Sequence, residues 1–263
     1  MLTGCRFPKS AVRDPRTVAT LLSGDPFFIA HRGGGGNWPE MTAYAYAQAA
    51  KISSLKALEI SVCLTADDVL VCSHDPTTTR VTGVPYTIRE QTWDTLSKLR
   101  VRARNTSDPH QQSQPFSRFD SIAETYINDF VLFVEAKVPE ANEPLMQKMV
   151  SLGHPERVVW KQWVTSSEFA TAKQNGFGTW GYVLNEQKHL DNLAQLAASP
   201  DIDMLGAPAD ESDAFVNAVV AAAAKNHKST IMWAISTAED EVRGRGLGCR
   251  GFMVSNVQAV LGV

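Results

Sequence analysis

From residue 130 onward the chain alternates short apolar runs with helical patterns, and this alternation constrains the fold more than any other feature. The runs fall at 130–137, 157–163, 180–184, 203–207, 230–235 and 251–255, with helical periodicity near 143–151, 167–175, 189–197, 210–225 and 238–247. Continuous apolar runs of this length suit strands buried on both faces, and their alternation with helices implies a parallel sheet with helices outside. Two strand-like stretches lie upstream, at 27–31 and at 57–64, the second turned by Ala66-Asp67-Asp68 into 69–74. That brings the parallel strands to about eight, the number at which such a sheet closes. The expected fold is an α/β TIM-type (β/α)8 barrel in a single domain, with a β-hairpin at residues 57–74. A doubly wound open sheet is the alternative, but no Gly-x-Gly-x-x-Gly opens a helix after a strand.

The 263 residues suit one barrel. Residues 1–26 are polar, with a helical pattern near Val18 to Leu22, and are expected to pack across the bottom of the 27–263 barrel domain. Residues 101–119 lack periodicity and read as a variable loop or insertion, since structureless stretches this long are functional or disordered. A net charge of −3 and a pI near 6.1 argue against a nucleic-acid partner. The absence of any run of 18 apolar residues argues against a transmembrane helix. Leu2-Thr3-Gly4-Cys5 has the form of a lipoprotein cleavage box without the basic and hydrophobic segments that precede one. The expected location is therefore cytoplasmic, with an exported lipoprotein as the alternative if the true start lies upstream of Cys5. Four cysteines match neither a disulfide framework nor a zinc pattern.

The densest chemistry lies between Phe28 and Asp75. Phe28-Ile29-Ala30 runs into His31-Arg32-Gly33 and a glycine run ending at Gly36, which must be a loop. Glu59 and Ser61, two residues apart in Leu58-Glu59-Ile60-Ser61-Val62, share one face of a strand. If Asp67-Asp68 form the hairpin tip, Cys63 faces Cys72, close enough for a disulfide only if geometry allows, and His74 falls opposite Ser61. In such barrels the active site forms at the carboxyl ends of the strands, where His31, Glu59, Ser61, Glu135, Lys137, Lys161 and Trp233 all sit. Each has a bland alternative. A lone histidine after an apolar run is usually structural, Glu59 could make a structural ion pair, Arg32 could lie on the surface, and Trp233 could be core. Two histidines in matching contexts favour acid and base roles in transfer at phosphorus, and Arg32 beside His31 offers a planar fork to phosphate oxygens.

Taken in order, His31-Arg32-Gly33, Pro39-Glu40-Met41-Thr42, Glu59-Ile60-Ser61 and His74-Asp75 resemble the glycerophosphodiester phosphodiesterase family. Its signature is His-Arg-Gly, a Glu-Asn-Thr turn, a Glu-x-Asp strand and a His-Asp pair. Phe133-Val134-Glu135-Ala136-Lys137 is similar to the family's Glu-x-Lys strand, and Met232-Trp233-Ala234-Ile235-Ser236 to its Trp-Thr-Val-Asn strand. The resemblance implies hydrolysis of a small-molecule glycerophosphodiester to an alcohol and glycerol phosphate. One of His31 and His74 would deprotonate the attacking group, often thought to be the substrate's own glycerol hydroxyl, and the other would protonate the leaving alcohol. It further implies a divalent cation, Mg²⁺ or Ca²⁺, on Glu59 and Glu135, with Lys137 on the phosphate and Trp233 walling the pocket. Glu40 would orient the histidines or substrate, or else favour a helix start. Lys161, a charge where a neutral strand residue is expected, would be an extra phosphate contact. Three positions depart from the pattern: Met41, Ser236 and, above all, Ser61 in place of the aspartate. Ser61 removes one negative charge and one strong oxygen from a cation site, leaving its hydroxyl or a water to fill the gap. The alternative reading is an impaired member that binds a phosphodiester or phospholipid-derived ligand.

Overall fold

The structure, a computed structural model, describes residues 16–103 and 112–263. The Leu2–Cys5 box and the centre of the 101–119 loop lie outside the described residues. The strands in chain order are β1 (Phe27–Ala30), β2 (Leu55–Leu64), β3 (Leu70–Cys72), β4 (Arg100–Val101), β5 (Gln114–Pro115), β6 (Val131–Ala136), β7 (Val158–Trp163), β8 (Gly178–Tyr182), β9 (Met204–Pro208), β10 (Ser229–Ile235) and β11 (Gly251–Val254). Eight of them, β1, β2 and β6 to β11, pair in parallel, and the β1–β2 pairing closes the ring. The chain is thus a closed TIM-type barrel with helices between its strands.

Strand alternation divides the apolar residues into two layers. Ile29, Ala57, Val131, Phe133, Val159, Met204 and Met253 form one cluster, and Leu21 of the helix Val18–Ser23 joins it. Intervening residues such as Leu58, Ile60, Leu132 and Val134 pack with Phe119, Leu145, Phe169 and Phe215 from helices. Gly206 makes room for Trp180, whose indole would lie 2.6 Å from a Cβ there.

The hairpin register differs by one residue from the sequence expectation. Cys63 faces Val71 and Val62 faces Cys72, while the Ser73 N–H donates to Ser61 O at 3.0 Å, so His74 lies one position beyond Ser61. The reason is a turn of three residues, not two: Thr65 N–H donates to Val69 O at 3.0 Å, and Asp68 adopts the left-handed region at φ 56°. Cys63 and Cys72 are buried and free. Two helical segments also differ. Phe119–Tyr126 is a helix burying Phe119, Ile122 and Ala123 where no helix was anticipated, and the one expected near 189–197 is split into Gln187–Asp191 and Leu193–Ala198.

Candidate active site

A cavity of about 620 Å³ opens at the carboxyl ends of the barrel strands, and His31, Arg32, His74, Glu135, Lys137 and Lys161 all line it. Trp163, Tyr182, Leu184, Pro208 and Trp233 supply its apolar wall, and Asp210 and Glu211 also reach it. Glu59 and Ser61 are fully buried, and Glu40 is 3% exposed; none of the three is among the lining residues.

His31 follows β1 directly, where the chain turns so sharply that Arg32 adopts φ 54°, ψ 34°. This left-handed conformation costs a non-glycine residue about 1–2 kcal/mol. It lets the Arg32 N–H donate to Glu59 Oε2 at 2.9 Å. The His31 Nδ1 lies 2.7 Å from Ser255 Oγ, just past β11. Burial is the main force lowering the His31 pKa to about 3; Glu59 opposes it, and the charges of Arg32 and Lys161 add to it. His74 is also lowered, first by burial and then by Arg32 and Lys137, against a hydrogen bond to Asp75 that raises it.

That bond begins a chain. His74 Nδ1 sits 2.8 Å from Asp75 Oδ1, and Arg80 Nε donates to Asp75 Oδ2 at 2.6 Å. Arg80 Nη1 and Nη2 then donate to Glu40 at 2.9 and 2.7 Å, and Glu40 also accepts from Arg32 Nη1 at 3.2 Å. Glu40 therefore holds Arg32 and, through Arg80, braces His74. Its turn is fixed by Thr42, whose hydroxyl donates to Pro39 O at 2.7 Å and accepts from the Ala45 N–H, capping the helix Ala43–Ala49. Met41, where the resembled family has asparagine, sits at φ 60°, a region in which asparagine is enriched. Arg32 Nε and Trp233 Nε1 are buried donors without a hydrogen-bond partner among the described residues, which suits a cavity meant for an acceptor-rich ligand.

Beneath the cavity lies an ion cluster built by strand register. Ser61 on β2 is directly beside Glu135 on β6. Lys161 on β7, 5% exposed, donates from Nζ to Glu59 Oε1 at 2.9 Å and to Glu135 Oε2 at 2.5 Å. Ser61 Oγ donates to Glu59 Oε1 at 3.0 Å, while Tyr182 Oη and Lys137 Nζ donate to Glu135 Oε1 at 2.7 and 3.0 Å. Burial alone would push both carboxyls up, but Lys161 leads the charges that hold them well below the usual range. The two carboxylates in turn raise Lys161 against its own burial. All three groups are therefore ionised at neutral pH.

This donor set does not fit a divalent cation. Every carboxylate oxygen of Glu59 and Glu135 already accepts a hydrogen bond, a cation on both would lie against the ammonium that bridges them, and Ser61 adds no charge. Among the described residues no group of three or more His, Cys, Asp or Glu side chains could hold a metal.

Sequence reasoning did not single out Ser255, Tyr182, Asp75 or Arg80. Asp75 was visible as the partner in His74-Asp75, and Tyr182 as the inward position two beyond Trp180; Ser255 and Arg80 had no local signal. Fold and site together define a TIM-type barrel whose mouth gathers two histidines and three cations. The glycerophosphoryl diester phosphodiesterase family model matches residues 31–259, and the chain belongs to that family. Members of the family generally depend on a metal. Glycerophosphodiester phosphodiesterase 1 of Bos taurus is 32% identical over 111 residues, 41% of this chain and 33% of that protein; the match thus spans about a third of the curated relative's length. A glycerophosphodiester phosphodiesterase from Thermotoga maritima has the same fold, with a TM-score of 0.70 at 18% identity over 91% of this chain and 98% of that one. A phosphodiesterase from Oleispira antarctica in complex with the product sn-glycerol-3-phosphate gives 0.71 at 19%, over 92% and 98%.

Proposed function

We propose that this chain is a phosphodiesterase that cleaves a glycerophosphodiester to an alcohol and a glycerol phosphate, with His31 and His74 moving the protons. The observation that carries this reading is that both histidines line one cavity together with Arg32, Lys137 and Lys161. The diester anion lies against these cations, which stabilise the charge that builds on its oxygens. His31 is neutral and its Nδ1 faces a serine hydroxyl, so Nε2 is left to take the proton of the attacking glycerol hydroxyl, and the bound diester anion raises the pKa that burial lowers. His74 has a carboxylate partner, Asp75, which opposes the lowering of its pKa by burial and nearby cations, and the bound phosphate anion opposes it too; it delivers the proton to the leaving oxygen. One P–O bond forms as the other breaks, and the protons pass from attacking to leaving oxygen through the two rings. Water then opens the cyclic phosphate with the roles reversed. The tryptophan and tyrosine wall, with Asp210 and Glu211 beside it, receives the alcohol.

Phosphorus NMR of glycerophosphocholine incubated with the protein tests this. Conversion to glycerol phosphate is the expected result, and saturable binding of the diester without product would make the chain a binding protein instead. The charge pairing of Glu59 and Glu135 with Lys161 is what keeps that second reading in view.

A further inference from the structure

The ion cluster under the cavity carries an inference that rests on the phosphodiesterase reading and extends it. We propose that the Lys161 ammonium takes the place of the divalent cation between Glu59 and Glu135, so that this chain handles its diester without a metal ion. The position comes first: Nζ bridges the two carboxylates at 2.9 and 2.5 Å. Two aromatic rings flank the ammonium, with Nζ 5.7 Å from the centroid of Trp180 and 5.6 Å from that of Tyr182.

Charge balance gives the second argument. A site with aspartate at position 61, a neutral residue at 161 and a divalent cation would add −1 and +2 to the two glutamates. Serine at 61 and lysine at 161 add 0 and +1, which is the same sum. Ser61 and Lys161 are therefore two halves of one exchange, and the serine that weakens a metal site is what an internal ammonium requires. An aspartate there would leave the cluster one charge too negative for Lys161 to neutralise. The hydroxyl instead donates to Glu59 at 3.0 Å.

The third argument is access to the substrate. An ammonium has three donors, of which two go to the carboxylates, and Lys161 also lines the cavity beside Arg32 and Lys137. It can thus present fixed positive charge to a phosphate oxygen, as a bound cation would, without being lost to a chelator.

Titration calorimetry of the whole protein with MgCl2 and with CaCl2, alongside turnover of glycerophosphocholine with and without EDTA, tests the proposal. The expected result is no saturable heat up to about 10 mM cation, beyond the range of weak carboxylate sites, and turnover unchanged by EDTA. One-site cation binding in that range overturns it, as does a loss of turnover in EDTA that added cation restores. If no diester turns over at all, the phosphodiesterase reading fails, while calorimetry still judges the role of Lys161. A designed exchange sharpens the test. The double variant Ser61→Asp, Lys161→Met, folded by circular dichroism, should gain saturable cation binding and a cation-dependent rise in Tm, whereas Ser61→Asp alone should gain neither. If the single variant binds as tightly as the double, or if the folded double variant binds nothing, the proposal falls. Should the double variant fail to fold, the titrations of wild type and Ser61→Asp decide by themselves.

Discussion

The lower and upper halves of the barrel lumen are built from the same strands and hold opposite chemistry. Along the inward face of β2 the residues run Ala57, Glu59, Ser61; along β6 they run Val131, Phe133, Glu135; along β7, Val159 gives way to Lys161. Below, burial stabilises, at roughly 25 cal/mol per Å² of apolar surface, and these residues carry no charge that needs a partner. Above, each buried charge is tolerable only because another neutralises it. The difference teaches where this chain can change: lower-layer residues tolerate exchange for apolar residues of similar volume, whereas upper-layer residues must change together.

The largest break in the comparison comes from the histidines at the top. His31→Ala and His74→Ala should each lower kcat by about 10²–10⁴-fold with the far-UV and near-UV dichroism of the parent. A folded alanine variant with full turnover would remove that ring from the chemistry. Next comes Lys161→Met, which leaves Glu59 and Glu135 buried without their shared cation. Unfolding in urea should show a loss of about 3–5 kcal/mol. Neutralising the carboxylates as well, in Glu59→Gln, Glu135→Gln, Lys161→Met, should recover most of it; a triple variant as weak as the single one would mean that packing, not charge, sets the loss.

The lower layer was legible in the sequence because burial on both faces writes itself as continuous apolar runs, and the motif residues of the mouth were legible because each ends or interrupts such a run. What the sequence did not reveal were relations between distant residues. Lys161 stood out as a charge in an apolar strand, yet its partners lie on β2 and β6, 102 and 26 residues away, and no local pattern encodes that pairing. Ser255, 224 residues from His31, is hidden for the same reason. The hairpin register differs by one residue from the sequence expectation because the left-handed conformation at Asp68 belongs to a turn length that the string Ala66-Asp67-Asp68 does not specify.

A smaller effect separates the two layers by pH. His31 stays neutral in the folded chain down to about 3, while an unfolded histidine takes a proton near 6.5. The unfolded state therefore binds more protons in that window, and stability should fall as pH drops from about 6.5, by up to roughly 1.4 kcal/mol per pH unit from this group. Glu59 and Glu135, held below the ordinary carboxylate range, add to the loss once pH falls below about 4.5. Tm measured from pH 7.5 to 5 should therefore decline, and His31→Gln should flatten the decline. An unchanged slope in that variant would assign the pH dependence elsewhere, with His74 and His189, both also lowered, as the next groups to replace.

The smallest predicted effect lies just below His31. Ile29 is fully buried in the lower cluster, on β1 and two residues before the histidine that follows this strand. Ile29→Val removes one methylene and should cost about 0.5–1.5 kcal/mol in urea unfolding. Because the lost methylene carries no charge, the pH slope of Tm should match the parent, and because the His31 partners Ser255, Arg32 and Glu59 are untouched, kcat should stay within about twofold. A much larger fall in kcat at this small cost in stability would show that the lower layer sets the position of the His31 ring, and the two halves of the lumen would then be coupled through β1.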